Sequence, residues 1–174
     1  AILQTRLASL PAGPAKTRLL QDVTRLATVT EQLLDLERLD QQAAPFTRFD
    51  LTDIAQRVVV ELAPLAFLAG YQVEFAAASE RAAVWGDAPA IERALTNLVQ
   101  NAIEHGGRSG SIAIRVDAAT IEVSDEGDGI PPEQREHIFE PFSRLRSQSR
   151  GLGLGLNLVR EIMHRHGGDV VALE

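Results

Sequence analysis

The sequence contains no cysteine. Disulfide scaffolds, thiol catalysis and thiolate metal sites are therefore excluded. Lysine is almost as scarce: of 17 basic side chains, Lys16 is the single lysine and the rest are arginine. A phosphate site beyond Lys16 must be built from arginine, histidine or backbone N–H groups. No run of about 18 apolar residues occurs, so no segment reads as a membrane span. Histidine appears at His105, His137, His164 and His166, in no spacing that makes a convincing zinc set. Internal repeats and low-complexity tracts are also missing.

What is present fits a folded domain. Apolar residues make up 45% of the 174, enough for a core and too many for a disordered or collagen-like chain. That length holds one compact domain, or one with a small appendage. The 17 basic and 24 acidic residues give a net charge of −7. An acidic surface disfavours nonspecific nucleic-acid binding, so no nucleic acid is expected as partner.

The chain divides near residue 45. Residues 1–10 read as a helix, and Pro11-Ala12-Gly13-Pro14 break it. Leu19, Val23, Leu26 and Leu33, with Thr30 filling the gap, form a heptad seam. This predicts a helix over about 15–40. Two readings are open: an amphipathic helix packed on its own domain, or one arm of a helical hairpin that dimerises. In the second, the arms would be about 15 Å and about 39 Å long. Such a mismatch makes the first helix expected to begin upstream of Ala1, in a longer protein. Residues 41–45 read as a linker.

Beyond it, residues 46–49 read as a short strand. Asp50 caps a helix that Gly70 stops, with Asp53 in its first turn. Strands follow over 71–76 and 83–85. Asp87 caps a second helix over 88–105. Alternation at Ile112, Ile114, Val116 and at Ile121, Val123 marks two more strands. A glycine-rich loop, a short helix after Pro131-Pro132, a second glycine cluster, a helix ending near His166 and a last strand over 169–173 complete the pattern. The expectation is an α+β fold over 45–174, a two-layer α/β sandwich of a mixed sheet with helices on one face.

Three stretches carry chemistry. In the second helix, Leu95, Leu98, Val99, Ala102 and Ile103 make the buried stripe, while Asn97, Asn101 and His105 share another face. Two asparagines there are either solvated surface residues or neutral oxygen ligands suited to Mg²⁺ alongside phosphates. In TIEVSDEGDGIPP, strand parity puts Asp125 on the side of Ile121 and Val123, pointing inward. It is either an ordinary turn aspartate or a carboxylate that needs a donor such as the adenine amine, with Gly127 and Gly129 admitting a flat base. In RGLGLGLNLVREIMHRHGG, Gly151, Gly153 and Gly155 precede or open a helix whose Leu156, Val159, Ile162 and Met163 face inward. Freed N–H groups there can form an anion nest. This is not a Walker loop, because no Gly-Lys-Ser/Thr follows, and no βαβ unit supports a Rossmann reading. Between these stretches, HIFEPFSRLRSQSR offers Phe139 and Phe142 as anchors of a flap carrying Arg144, Arg146 and Arg150.

Taken together, the stretches resemble sensor histidine kinases. NLVQNAIEH resembles their N-box, DEGDGIP their first glycine box, FEPF their F-box and GLGLGL their second glycine box, in order over residues 87–168. The resemblance implies the GHKL, or Bergerat, ATP-binding fold, with residues 1–44 as part of the dimerisation and histidine-phosphotransfer hairpin. It implies ATP and Mg²⁺ as cofactors, with Asn101 as the metal ligand and Asn97 as the catalytic polar residue one turn earlier. Asp125 would hold the adenine amine, and Gly127 and Gly129 would shape the base pocket. Gly151, Gly153 and Gly155 would offer N–H groups to the phosphates, Arg144 would reach the terminal phosphate, and His105 would lie beside them.

Departures from the family pattern are specific. Glu104 stands where relatives often carry a basic residue. No histidine precedes residue 105, so the acceptor box is missing, and the final glycine-threonine box and last strand are expected beyond Glu174. The implied activity is phosphorylation of a histidine on the dimerisation helix and onward transfer to the aspartate of a response regulator receiver domain. The implied protein is a homodimeric, membrane-anchored bacterial sensor, with this part in the cytoplasm and out of direct membrane contact. Gyrase-type or chaperone-type ATPases and anti-sigma-factor kinases are competing readings, yet they place a carboxylate at the position of Asn97. A non-catalytic dimerising scaffold is the third.

Overall fold

The computed structural model describes residues 45–107, 109–143 and 153–173, together with Gly13 and nine positions from Lys16 to Leu34. Those nine positions are helical. Two seam residues, Leu19 and Leu26, are 46% and 64% exposed. The proposed first helix, linker residues 41–44, the seam residue Leu33, Arg144 and Gly151 lie outside the described residues.

The order of elements is β1 (Thr47–Asp50), α1 (Leu51–Leu68), β2 (Tyr71–Ala77), β3 (Ala83–Gly86), α2 (Ala88–His105), β4 (Gly110–Asp117) and β5 (Thr120–Asp125). Two single-turn 3₁₀ helices, Pro132–Gln134 and His137–Phe139, then lead to α3 (Gly155–Arg165). Local chemistry fixes the helix starts. Asp50 accepts from the Thr52 N–H at 2.9 Å and from the Ala82 N–H at 3.1 Å, so one carboxylate caps α1 and holds the approach to β3. These bonds favour the charged form, with the Ala82 N–H foremost, and hold Asp50 below the ordinary aspartate pKa. Asp87 caps α2 by accepting from the Ala90 N–H at 3.1 Å. α1 ends at Ala69, where Gly70 adopts a φ of 97° that a side chain would resist.

The main sheet has the order β2-β4-β5. β2 runs parallel to β4, and β4 antiparallel to β5 through a tight turn at Ala118-Ala119. β1 and β3 form a separate antiparallel ladder, so the strands expected in one sheet divide into two. Ile112, Ile114 and Val116 alternate onto the buried face of β4. They pack with Ala55, Val58 and Leu62 of α1 and with Leu95, Val99 and Ala102 of α2. Truncating a residue as enclosed as Ile114 to alanine should cost about 2–5 kcal/mol. α2 uses a second side for α3: Ala90 and Ala94 join Leu158, Val159 and Ile162, with Leu98 and Met163 beside them. The Arg57–Glu92 pair, at 3.1 Å, spans α1 and α2.

Two expectations fail here. Residues 169–173 form no strand. Val171 and Leu173 are 67% and 64% exposed; the segment pairs with neither edge strand, β2 or β5, and apolar residues make a strand only where ladder bonds form. Phe142 is not an anchor either. Its backbone takes a φ of 64° and its N–H donates to the Gly153 carbonyl at 3.0 Å, leaving the ring 64% exposed. Ile138 and Phe139 are the buried pair instead.

Candidate nucleotide site

α2 presents the expected polar face. Asn97, Asn101 and His105 lie along it, with both asparagines half-buried and His105 and Glu104 exposed. The Asn97 amide group donates to the Arg93 carbonyl at 2.9 Å, which leaves Oδ1 as its acceptor. Among the described residues nothing bonds the Asn101 side chain. Its carboxamide oxygen is one neutral donor, and no cluster of three His, Cys, Asp or Glu side chains converges among the described residues. That donor set fits a hard cation whose shell comes mainly from phosphates and water.

The far end of this face meets Asp125. Asp125 ends β5 opposite Ile112, with Val123 opposite Ile114, so the parity is as expected. The burial is not: Asp125 is exposed, because it is the last residue of β5, where the strand gives way to a turn beside the α2 C-terminus. The Asp125 Oδ1 accepts from the Gly127 N–H at 2.8 Å. Gly106, just past α2, has space for no side chain: a Cβ would stand 2.6 Å from the Ala102 carbonyl oxygen and 3.1 Å from the Asp125 Cβ. A Cβ on Gly127 would be 2.7 Å from the Asp125 Oδ1 and 3.0 Å from the His105 carbonyl oxygen. Two glycines thus let the end of α2 and the turn after β5 come into backbone contact. Gly129 differs. It has a φ of 70° but open space around it, so its backbone conformation rather than a close contact favours glycine.

The third stretch lies at the start of α3. Gly153 adopts a φ of 74°, and a Cβ there would strike the Ser143 carbonyl oxygen. The two sides of the flap are therefore pinned together, through Phe142 and Gly153. Gly155 is the first helical residue, and Leu154 at the N-cap makes no side-chain cap bond. α1 and α2 each start on an aspartate cap, whereas α3 starts with uncapped N–H groups suited to an anion. α3 also holds the flap base. Asn157, 5% exposed, donates to the Phe139 carbonyl at 3.2 Å. Arg160 lies over the Phe139 ring at 6.0 Å and 3.6 Å from Glu136. The sequence pattern pointed to Leu156 rather than Leu158 as an inward residue and missed Asn157; in the structure Leu156 is only partly buried, while Asn157 and Leu158 are buried.

These layers, with a polar face on α2, a strand-end aspartate beside its C-terminus and a glycine-opened α3 packed against it, are the Bergerat α/β sandwich of ATP-binding domains. Residues 86–173 match the family described as histidine kinase-, DNA gyrase B-, and HSP90-like ATPase, and the chain belongs to it. Within that family its relatives are sensor histidine kinases. It is 38% identical over 159 residues to the sensor protein IrlS of Burkholderia pseudomallei, covering 86% of this chain and 34% of that one. The catalytic domain of histidine kinase ThkA superimposes with a TM-score of 0.65 at 34% identity, covering 74% of this chain and 88% of that chain. ThkA in complex with the response regulator protein TrrA gives a TM-score of 0.73 at 27% identity, covering 96% of this chain and 50% of that chain. The chain spans about a third of the length of the curated relatives it matches.

Proposed function

We propose that this chain is the ATP-binding catalytic region of a sensor histidine kinase, with residues 1–44 belonging to its dimerisation hairpin and 45–174 forming the nucleotide domain. The observation that carries the reading is the meeting of Asp125 with the end of α2 at Gly106 and Gly127. It sets a carboxylate that can accept from the adenine amine at one end of a helix face bearing Asn97, Asn101 and His105. The uncapped start of α3, at Gly153 and Gly155, supplies N–H groups for the phosphates, with Gly151 and Arg144 completing the clamp. Asn101 would hold Mg²⁺, which when bound neutralises charge on the phosphates.

In the proposed reaction an imidazole nitrogen attacks the terminal phosphorus. The bond to the ADP oxygen breaks, phosphohistidine forms, and the imidazole loses its N–H proton to solvent. Positioning and charge neutralisation carry most of the catalysis. Asn97 favours transfer over hydrolysis, since an amide cannot take a proton from water as a carboxylate does. No histidine precedes residue 105, so the acceptor is proposed to lie in another part of the protein. The complex of ThkA with TrrA supports a receiver domain as the next carrier. The seam residues Leu19 and Leu26, exposed in one chain, support homodimerisation. Membrane anchoring is proposed for the whole protein; no helix among the described residues is long and apolar enough to cross a membrane. Calorimetric titration with MgATP tests the reading: binding that Asn101→Ala and Asp125→Asn each weaken supports it, and no binding refutes it.

A further inference from the structure

His166, at the exit of α3, reaches across 79 residues of sequence to the entry of α2. Its Nε2 accepts from the Asp87 backbone N–H at 2.9 Å. Its Nδ1 lies 2.7 Å from the Ile162 carbonyl oxygen, which can only accept. These two bonds are compatible with one state of the ring: neutral, with the proton on Nδ1. Phe46 stacks on the ring with centroids 4.7 Å apart and planes 11° from parallel. Gly86 closes the other approach, where a Cβ would be 2.5 Å from the imidazole Cδ2 and 2.8 Å from Nε2. Asp87 is 6% exposed, and its own carboxylate is committed to the Ala90 N–H, so no side chain of its own can replace the imidazole.

We infer that His166 is a positioning residue for the nucleotide site: a neutral imidazole in the Nδ1–H tautomer that locks the exit of α3 to the entry of α2. The inference rests on the proposed ATP site. The two helices carry its two halves, the phosphate nest at the start of α3 and the Asn97–Asn101 face of α2. They pack side by side from Ala90 to Leu98, and α2 begins where α3 ends. A lock at that shared end fixes how far α3 advances along α2, and with it the nest relative to the asparagines. Without the acceptor, the Asp87 N–H is an unpaired buried donor, and the helices can slip or rotate to relieve it.

Three variants of the chain test this. His166→Gln keeps an acceptor for the Asp87 N–H without the ring. His166→Phe keeps the ring and its stack on Phe46 without the acceptor. Gly86→Ala leaves the histidine intact but pushes the imidazole off its seat. Long-range ¹H–¹⁵N spectra of the wild type should show His166 in the Nδ1–H tautomer. MgATP affinity should fall roughly tenfold in His166→Phe and in Gly86→Ala, and stay within about threefold of wild type in His166→Gln. The double variant His166→Phe, Gly86→Ala should lose little more than either alone, because both break one contact. An Nε2–H tautomer, or a folded His166→Phe chain that binds MgATP like wild type, overturns the inference. If wild type itself fails to bind MgATP, the proposed function falls. The tautomer and the Asp87 amide shift on His166→Phe substitution then still decide whether the lock exists.

Discussion

The backbone N–H of Gly127 donates to the Oδ1 of Asp125 at 2.8 Å, and a methyl group on that glycine would lie 2.7 Å from the same oxygen. The turn after β5 therefore aims the carboxylate and excludes any side chain at once. Gly127→Ala should push Asp125 out of line and pry the turn from the end of α2. An overpacked contact of this kind costs about 1–3 kcal/mol of stability. Thermal unfolding should show that loss, and MgATP affinity should fall by roughly tenfold or more. Unchanged affinity would mean that the close approach of Gly127 and Gly106 does not shape the site.

Asn101→Ala should leave the fold intact and remove the Mg²⁺ dependence of ATP binding. The side chain is half-buried on the polar face of α2 and bonds nothing among the described residues, so its loss leaves no unpaired partner. Titrations with ATP in Mg²⁺ and in EDTA should differ for wild type and coincide for the variant. Affinity that responds to Mg²⁺ as in wild type would assign the metal elsewhere.

Asp125→Asn should weaken ATP by about 1.5–3 kcal/mol, the range for a lost charge-assisted hydrogen bond. The exposed position of Asp125 predicts little effect on melting temperature. Wild type should prefer ATP to GTP, because guanine presents a carbonyl where adenine presents the amine. Equal binding of the two nucleotides would remove Asp125 from that role.

Asp50 gives a pH signature separate from the site. Its folded-state pKa is lowered, chiefly by the Ala82 N–H. Its contribution to stability is therefore complete above the ordinary aspartate pKa and lost as pH falls through the lower folded-state value. Asp50→Ala should melt below wild type at neutral pH, with the gap closing in strong acid. A gap independent of pH would show that the charge is not what stabilises the α1 cap.

Local signals were legible in the sequence to within a residue or so. Asp87 and Gly106 bracket α2 as a cap and a stop, Asp50 and Gly70 bracket α1, and alternation located β4 and β5. The polar face of α2 and the parity of Asp125 were legible for the same reason, since both follow from helix and strand periods. What escaped depends on contacts across the chain. His166 and Asp87 meet only after α3 docks on α2, and Asn157 finds the Phe139 carbonyl only in that packing. The expected strand over 169–173 had apolar residues but makes no ladder with either edge strand, β2 or β5. Phe142 looked like an anchor because it is aromatic, yet its backbone is held by Gly153 with the ring outward.

The activity proposed for this site is transfer of phosphate from ATP to histidine. The most direct measurement is labelling of the full-length protein with γ-labelled MgATP, followed by acid and base treatment and mapping of the label. One phosphohistidine is expected, labile in acid and stable in base, outside the four histidines of this chain and abolished by Asn101→Ala. Release of inorganic phosphate with no labelled protein, or a label on His105, His137, His164 or His166, would contradict it.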